Sequence, residues 1–373
     1  MPGNPYHFTG PLDPAELSPT CIPRGKELDK VINGLLDGDY WVVLGPRQIG
    51  KTTFLRQVKH ELAVHPGIYI DLESSPAEEQ AFYGSIIDAL VESAAVKPGP
   101  TREKTKDTDS DHKTHFYHFL KTFSPVKDKK IIFFFDEIEK APGLHSFLNM
   151  WRKVFHERMD HPGLKKYALV IAGSVDLIPM TIGPTSPFNI ARKLYLPNLS
   201  AEESGRLIDQ PLKELCITIE PEAREQLSTK TSGHPQLLQH LCHALVERAR
   251  EEHRGISARD VSRAIEEVLF IESDNLKTLD QQIKADPSLR ELTKRLLNRE
   301  RVRYAPYQHF SLAGVGPIVS EENYCAFRCN LYEEFLGQML ESPCYHPQAA
   351  APIPAENLSS PGKTTLPSEI LYH

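Results

Sequence analysis

Short, largely apolar runs alternate along the first half of the chain with stretches patterned like helices. Five such runs, Tyr40–Leu44, Gly67–Leu72, Lys130–Asp136, Tyr167–Ala172 and Lys193–Leu196, predict strands. The run Ile131-Ile132-Phe133-Phe134-Phe135 has no polar position, so it suits a central strand covered on both faces. Strands separated by helices imply βαβ crossovers and an α/β fold built on a parallel sheet with helices on both faces. Residues 97–114 contain no hydrophobic residue and predict a solvated loop inserted before a helix over His115–Phe123.

The pattern then turns helical. Ser200 and Glu203 have the spacing of a capping box before a helix over Ser204–Leu215. Pro221 sits where a second helix starts, Gly233 where it ends, and Pro235 opens a third, Gln236–Glu251. Residues 257–340 predict helices near Ala258–Ile271 and Ser288–Asn298, then a ribbon around Phe310–Val319 and Tyr324–Cys329, and a closing helix. Helix, helix, ribbon and helix in that order resemble a winged helix. The predicted organisation is an N-terminal segment (1–30), an α/β domain (31–199), a helical lid (200–255) and a winged-helix domain (256–341). Residues 342–373, with six prolines and little periodicity, predict a disordered tail.

Composition narrows the picture without redirecting it. Hydrophobic content of 40% and charged content of 25% allow a substantial core. The net charge of −7 argues against nucleic acid as the main partner. No stretch has the length of a signal peptide or membrane span, so a cytoplasmic location with no membrane partner is expected. Cys325 and Cys329 are the closest pair among six cysteines, and one such pair does not make a tetrahedral metal site.

Residues Gly45-Pro46-Arg47-Gln48-Ile49-Gly50-Lys51-Thr52 read G-x-x-x-x-G-K-T between the first strand and a helix that continues through Thr53. This is the phosphate-loop context, in which successive backbone N–H groups converge on phosphates at a helix N-terminus. By average composition the pattern arises by chance in roughly one chain per hundred of this length, and the strand before and helix after it lower that further. Lys51 is expected to face solvent and reach the β- and γ-phosphates of ATP, with the Thr52 hydroxyl on Mg²⁺.

Phe133-Phe134-Phe135-Asp136-Glu137 supplies the companion acids: Asp136 for Mg²⁺, Glu137 to deprotonate the attacking water. Ser174, after the fourth strand, is either a water-positioning group or a turn serine. Arg192, before the fifth, is either an arginine finger for a neighbouring subunit or a surface arginine paired with an acid. Gly233-His234-Pro235 is either a helix boundary or a lid contact in which His234 folds back over bound nucleotide.

Together, the phosphate loop with Arg47-Gln48, Asp136-Glu137, Ser186-Pro187-Phe188-Asn189-Ile190 and Gly233-His234-Pro235-Gln236-Leu237-Leu238 resemble the AAA-like ATPases of the STAND class, the signal-transduction ATPases with numerous domains. Phe8-Thr9-Gly10-Pro11 with Ile22-Pro23-Arg24-Gly25-Lys26-Glu27-Leu28 is similar to that class's N-terminal segment. Phe327-Arg328-Cys329-Asn330-Leu331-Tyr332-Glu333-Glu334-Phe335 is similar to its winged-helix end. The resemblance implies that Arg24 lies near the nucleotide, with loop residues 45–53, His234 and Pro235. It also implies a slowly hydrolysing, oligomerising switch in signalling or defence-type assemblies, closed with ADP and opened by ATP. Position 174 departs from the class in being a serine, and no usual sensor or effector fits in 342–373, so either a partner protein supplies those parts or the chain is a stand-alone ATPase. The alternative is a DNA-associated ATPase of the origin-recognition type. Against it, residues 257–340 carry eleven Lys and Arg but thirteen Asp and Glu, although Lys294, Arg295, Arg299, Arg301 and Arg303 cluster. A nucleotide-locked scaffold that never turns over is a third possibility, opposed by the intact Glu137.

Overall fold

The five apolar runs form five strands: β1 (Tyr40–Leu44), β2 (Gly67–Asp71), β3 (Ile131–Asp136), β4 (Tyr167–Gly173) and β5 (Ala191–Tyr195). The structure is a computed structural model, and it describes residues 3–16, 19–93, 112–123, 129–174, 177, 180, 186–269, 274–305 and 316–341. All neighbouring strands pair parallel, in the order β2-β3-β4-β1-β5. The fifth strand begins two residues earlier than expected, which places Arg192 inside it.

β1, β3 and β4 are buried along their whole length, and successive side chains feed two separate cores. Trp41, Val43, Ile132, Phe134, Ala168 and Val170 face one way. There they meet Leu28, Val31 and Leu35 of α1 (Gly25–Asp37) and Phe54, Leu55 and Val58 of α2 (Lys51–Glu61). Tyr40, Phe133, Phe135, Tyr167 and Leu169 face the other way. They pack on α3 (Glu79–Ser93), α4 (His112–Thr122) and α5 (Leu144–His156), with Trp151 set against Phe133 at 4.9 Å between ring centroids. α4 starts at His112, so the last residues expected in the polar loop are helical; residues 97–111 lie outside the described residues.

The expected capping box is present: Glu203 N–H donates to Ser200 Oγ at 3.2 Å, and Ser200 N–H to Glu203 Oε2 at 2.8 Å, at the start of α6 (Ala201–Glu214). α7 (Pro221–Thr231) and α8 (Pro235–Glu252) follow, both with proline in the first turn. Between them Ser232 and Gly233 are left-handed, with φ of 47° and 73°. A Cβ on Gly233 would lie 2.2 Å from the carbonyl oxygen of Leu199, so only glycine lets this turn dock on the end of the sheet.

The expected helix over Ala258–Ile271 is α9 (Ala258–Ala264) continued by a wide π turn, Ile265–Leu269. An additional helix, α10 (Asp274–Ala285), precedes α11 (Pro287–Leu297), and its Leu276, Leu279 and Ile283 are buried at helical spacing. An antiparallel ribbon, β6 (Ile318–Glu321) with β7 (Tyr324–Phe327), leads into α12 (Asn330–Glu341). The first half of the expected ribbon, 310–315, and the proline-rich 342–373 lie outside the described residues.

The N-terminal segment spans lid and sheet domain. Phe8 stacks on His240 of α8 at 4.0 Å, the Tyr6 hydroxyl donates to the Leu207 carbonyl at 3.1 Å, and Leu12 N–H donates to Thr53 Oγ1 at 3.1 Å.

Candidate functional site

In an open parallel sheet, loops at the carboxyl ends of the strands form the binding crevice. Here that edge gathers the loop after β1, Asp136 ending β3, and Gly173-Ser174 ending β4 on adjacent strands. Gly50 caps α2 with φ of 90°, a left-handed turn that starts the helix immediately at Lys51. Thr52 and Thr53 occupy the first turn, where the helix N–H groups have no partner within the helix. Ile49 is fully buried and anchors the loop to the α1/α2 core, while Arg47 and Gln48 are exposed and Gln48 is left-handed with φ of 61°.

Lys51 is not solvent-facing as expected. It is 6% exposed, and Nζ donates to the carbonyl oxygens of Gly45 (3.1 Å) and Pro46 (3.0 Å) inside its own loop. Burial pushes its pKa down, against the pull of Glu137, Glu139 and Asp136. Two further cations lie close by, Arg24 buried and Arg328 half-buried. Arg24, 4% exposed, donates from Nη2 to the Ile49 carbonyl at 2.6 Å and from Nη1 to the Pro197 carbonyl. Burial lowers its pKa to about 10. Arg328, just before α12, donates from Nε to the Gly316 carbonyl at 2.8 Å and from Nη1 to Asn198 Oδ1 at 3.3 Å. Asn198 in turn donates to the Ser232 carbonyl at 2.9 Å, so one side chain ties Arg328 to the turn before His234. A Cβ on Gly316 would lie 3.5 Å from Pro46 Cβ and 3.3 Å from the Tyr332 hydroxyl, which sets the C-terminal unit directly against the loop.

His234 is fully buried at the N-cap of α8, where Nδ1 accepts from Leu237 N–H at 3.4 Å. Burial, then the nearby Arg328 and Arg24, lower its pKa to about 3, so the ring is neutral. With Nδ1 accepting, the proton sits on Nε2, which has no hydrogen-bond partner among the described residues. Its ring meets Tyr332 edge to face. Pro235 is the first helical residue behind it.

On the acid side, Asp136 Oδ1 accepts from Glu137 N–H at 3.1 Å and Oδ2 from the Tyr69 hydroxyl at 2.6 Å. Glu137 is left-handed with φ of 51°, a strained conformation of the kind that collects at functional sites. Burial, then Glu139, raises its pKa to about 7, with Lys51 opposing. Ser174 is buried beside these acids at the end of β4, and its carbonyl accepts from Leu177 N–H at 3.2 Å. Arg192 is not part of this gathering. It pairs in register with Trp41, toward the opposite end of the sheet from the loop, and its exposed Nε contacts Asp39 Oδ2 at 2.7 Å. The ion pair is the one the surface-arginine alternative expects; the finger alternative concerns a neighbouring subunit's nucleotide.

Sequence reading did not assign roles to Arg328 or Tyr69. Arg328 lay inside a quoted segment with nothing to single it out, and Tyr69 reads as an ordinary aromatic in a strand.

The residues fit a polyphosphate and a divalent cation. Arg24 and Lys51 are buried and Arg328 half-buried, all three without a carboxylate at ion-pairing distance among the described residues, and desolvated charge without a counter-charge is costly. A donor on His234 Nε2 is likewise unspent. Each Asp136 oxygen keeps a lone pair for a metal after its single bond from the protein.

The described helices include none long and apolar enough to cross a membrane. No curated protein matches the chain. Among solved structures, the Walker-type ATPase of Pyrococcus abyssi aligns with a TM-score of 0.59 at 15% identity, over 85% of this chain and 96% of that one. The Aeropyrum pernix ORC2 protein, solved as ADPNP-ADP complexes, aligns with a TM-score of 0.48 at 16% identity, over 84% and 92%. Thermotoga maritima RuvB, a Holliday junction branch migration motor, aligns with a TM-score of 0.47 at 15% identity, over 86% and 96%. At such identities the first of these is a likeness of fold. A family model described as the AAA-like domain matches residues 35–338. With its phosphate loop, acid pair and β2-β3-β4-β1-β5 sheet, this chain belongs to the AAA-like domain family.

Proposed function

We propose that this chain is a Mg-ATP-binding, slowly hydrolysing switch of the STAND kind, whose bound nucleotide controls the lid and, through it, self-association. The observation that supports this most directly is the placement of four donor groups, three cationic and one a neutral imidazole N–H, none of which has a carboxylate partner among the described residues. Lys51 comes from the sheet domain, Arg24 from the N-terminal segment, His234 from the lid and Arg328 from the C-terminal unit, which this reading takes as a winged helix. One anion between them would satisfy groups from four parts of the chain at once, so its phosphate count can bias how those parts sit.

In this reading the nucleotide supplies the transferable phosphoryl group and Mg²⁺ the charge that stabilises its transfer. Thr52 and Asp136 would hold the metal, and Lys51 Nζ would exchange its two carbonyl oxygens for phosphate oxygens. Glu137 accepts the proton of the attacking water on its carboxylate, and Ser174 lies where it can orient that water. A sensor or effector protein in a signalling or defence-type assembly is the expected partner. Size-exclusion chromatography with ADP and with Mg-ATP tests the reading. A shift to a larger species with Mg-ATP is expected; identical profiles, with both nucleotides shown to bind, would remove the switch.

A DNA-associated ATPase is the second reading, and the basic cluster on and after α11 speaks for it. Two of its members are already engaged: Arg295 with Glu300 at 2.8 Å and Arg299 with Glu333 at 2.6 Å, while Arg301 lies over the Tyr324 ring at 4.0 Å. Duplex binding is therefore expected to be weak and steeply salt-dependent. Sub-micromolar, sequence-selective binding at physiological salt in a fluorescence anisotropy titration would put this reading first.

A further inference from the structure

We propose that Tyr69 is a positioning residue for the metal site, holding the Asp136 carboxylate in the orientation that receives a divalent cation. The inference rests on the nucleotide reading above. It starts from strand register. β2 pairs with β3 so that Tyr69 lies opposite Phe134, two residues short of Asp136 on the same face. A diagonal neighbour of this kind is within reach of a long aromatic side chain but not of a short one. The Tyr69 hydroxyl uses that reach to donate to Asp136 Oδ2 at 2.6 Å, the short distance of a charge-assisted bond to a carboxylate. Glu137 N–H holds Oδ1 at 3.1 Å. With both oxygens tied, the carboxylate at the strand end cannot rotate, and its remaining lone pairs face a fixed direction.

The ring of Tyr69 is itself held by the helix that follows the phosphate loop. Arg56 and Lys59 of α2 each place their charge 5.9 Å from its centroid. The same helix carries Thr52 in its first turn. The two side chains assigned to the metal, Thr52 and Asp136, are therefore connected through one helix and one phenol rather than standing on independent elements. Partners that orient a metal ligand are commonly worth 10- to 100-fold in metal affinity or activity.

The test is Tyr69→Phe, which keeps the ring and removes the hydroxyl with its bond to Asp136 and its interaction with Arg56. A fluorescent ADP analogue is titrated into the full chain in EDTA and over a series of Mg²⁺ concentrations, alongside thermal melting without nucleotide. The expected result is unchanged affinity in EDTA, an unchanged melting temperature, and a rise of about 10-fold in the Mg²⁺ concentration giving half of the metal-dependent effect. An unchanged Mg²⁺ midpoint in the variant, with metal dependence intact in wild type, overturns the role of Tyr69 alone. Equal losses with and without Mg²⁺, or a lowered melting temperature with lost affinity in EDTA, assign Tyr69 to packing and also overturn it. A wild-type protein that binds no nucleotide overturns the underlying site reading instead.

Discussion

The imidazole of His234, on the lid, meets the ring of Tyr332, on the last helix, edge to face with 5.8 Å between centroids. The contact joins the two elements that follow the sheet at a point beside the phosphate loop, where Gly316 lies between Tyr332 and Pro46. A group bonding to His234 Nε2 would be felt by both.

His234→Ala removes that donor and the edge-to-face contact together, so the closed form should open at lower cost. Faster ADP release and a larger oligomeric fraction are expected, with Mg-ATP affinity changed only modestly. ADP off-rates and size-exclusion profiles equal to wild type would reduce Gly233-His234-Pro235 to a helix boundary.

The same histidine should give stability a pH dependence. Its pKa is about 3 in the fold and about 6.5 when unfolded, so between these values only the unfolded chain binds the proton. Stability from this site is complete above pH 6.5 and falls as pH drops toward 3. Between pH 7 and 5.5 the site should cost the wild type on the order of 1 kcal/mol. Urea unfolding at both pH values, for wild type and His234→Asn, measures it; an equal pH response in the two proteins would contradict the neutral buried ring.

Lys51→Ala should abolish Mg-ATP binding. Because Lys51 is a desolvated cation held by two carbonyl oxygens and no carboxylate, its loss should leave apo stability unchanged or raised. Nucleotide affinity within error of wild type in a fluorescence titration would sink the phosphate-loop assignment.

Glu137→Gln keeps size and hydrogen bonding but cannot take the water proton. Nucleotide affinity should persist while steady-state phosphate release falls by about 10²-fold or more. A purified variant with wild-type turnover would take Glu137 out of the base role.

The sheet was legible because its strands are buried on both faces, and burial on both faces writes an uninterrupted apolar run such as Ile131–Phe135. The phosphate loop was legible because close backbone approach to phosphate restricts residue choice. β5 was misplaced by two residues because an edge strand reads mixed: Arg192 and Lys193 are exposed, and Leu194 alone is buried. α10 was legible in principle, since Leu276, Leu279 and Ile283 recur at helical spacing and are buried, but three apolar positions in a charged and polar stretch make a faint signal. The burial of Lys51 was hidden because its side chain turns back onto the carbonyls of Gly45 and Pro46, a path of the loop that residue types do not reveal. Tyr69 was invisible because its role comes from strand register, which no local pattern encodes.

The two cores differ in extent, and this has a mechanical consequence. Apolar contact on the α3–α5 face runs from Phe133 and Tyr167 through Leu199, Leu207 and Leu237 to Leu292, Tyr332 and Leu336, whereas the α1/α2 core ends at the sheet. The protein is thus lopsided as a lever. Strain introduced at the last helix is shared with one side of the sheet and shielded from the other by the strands themselves. Amide exchange should then loosen in α8 and α5 together when α12 is disturbed, while the middle of α1 keeps its protons.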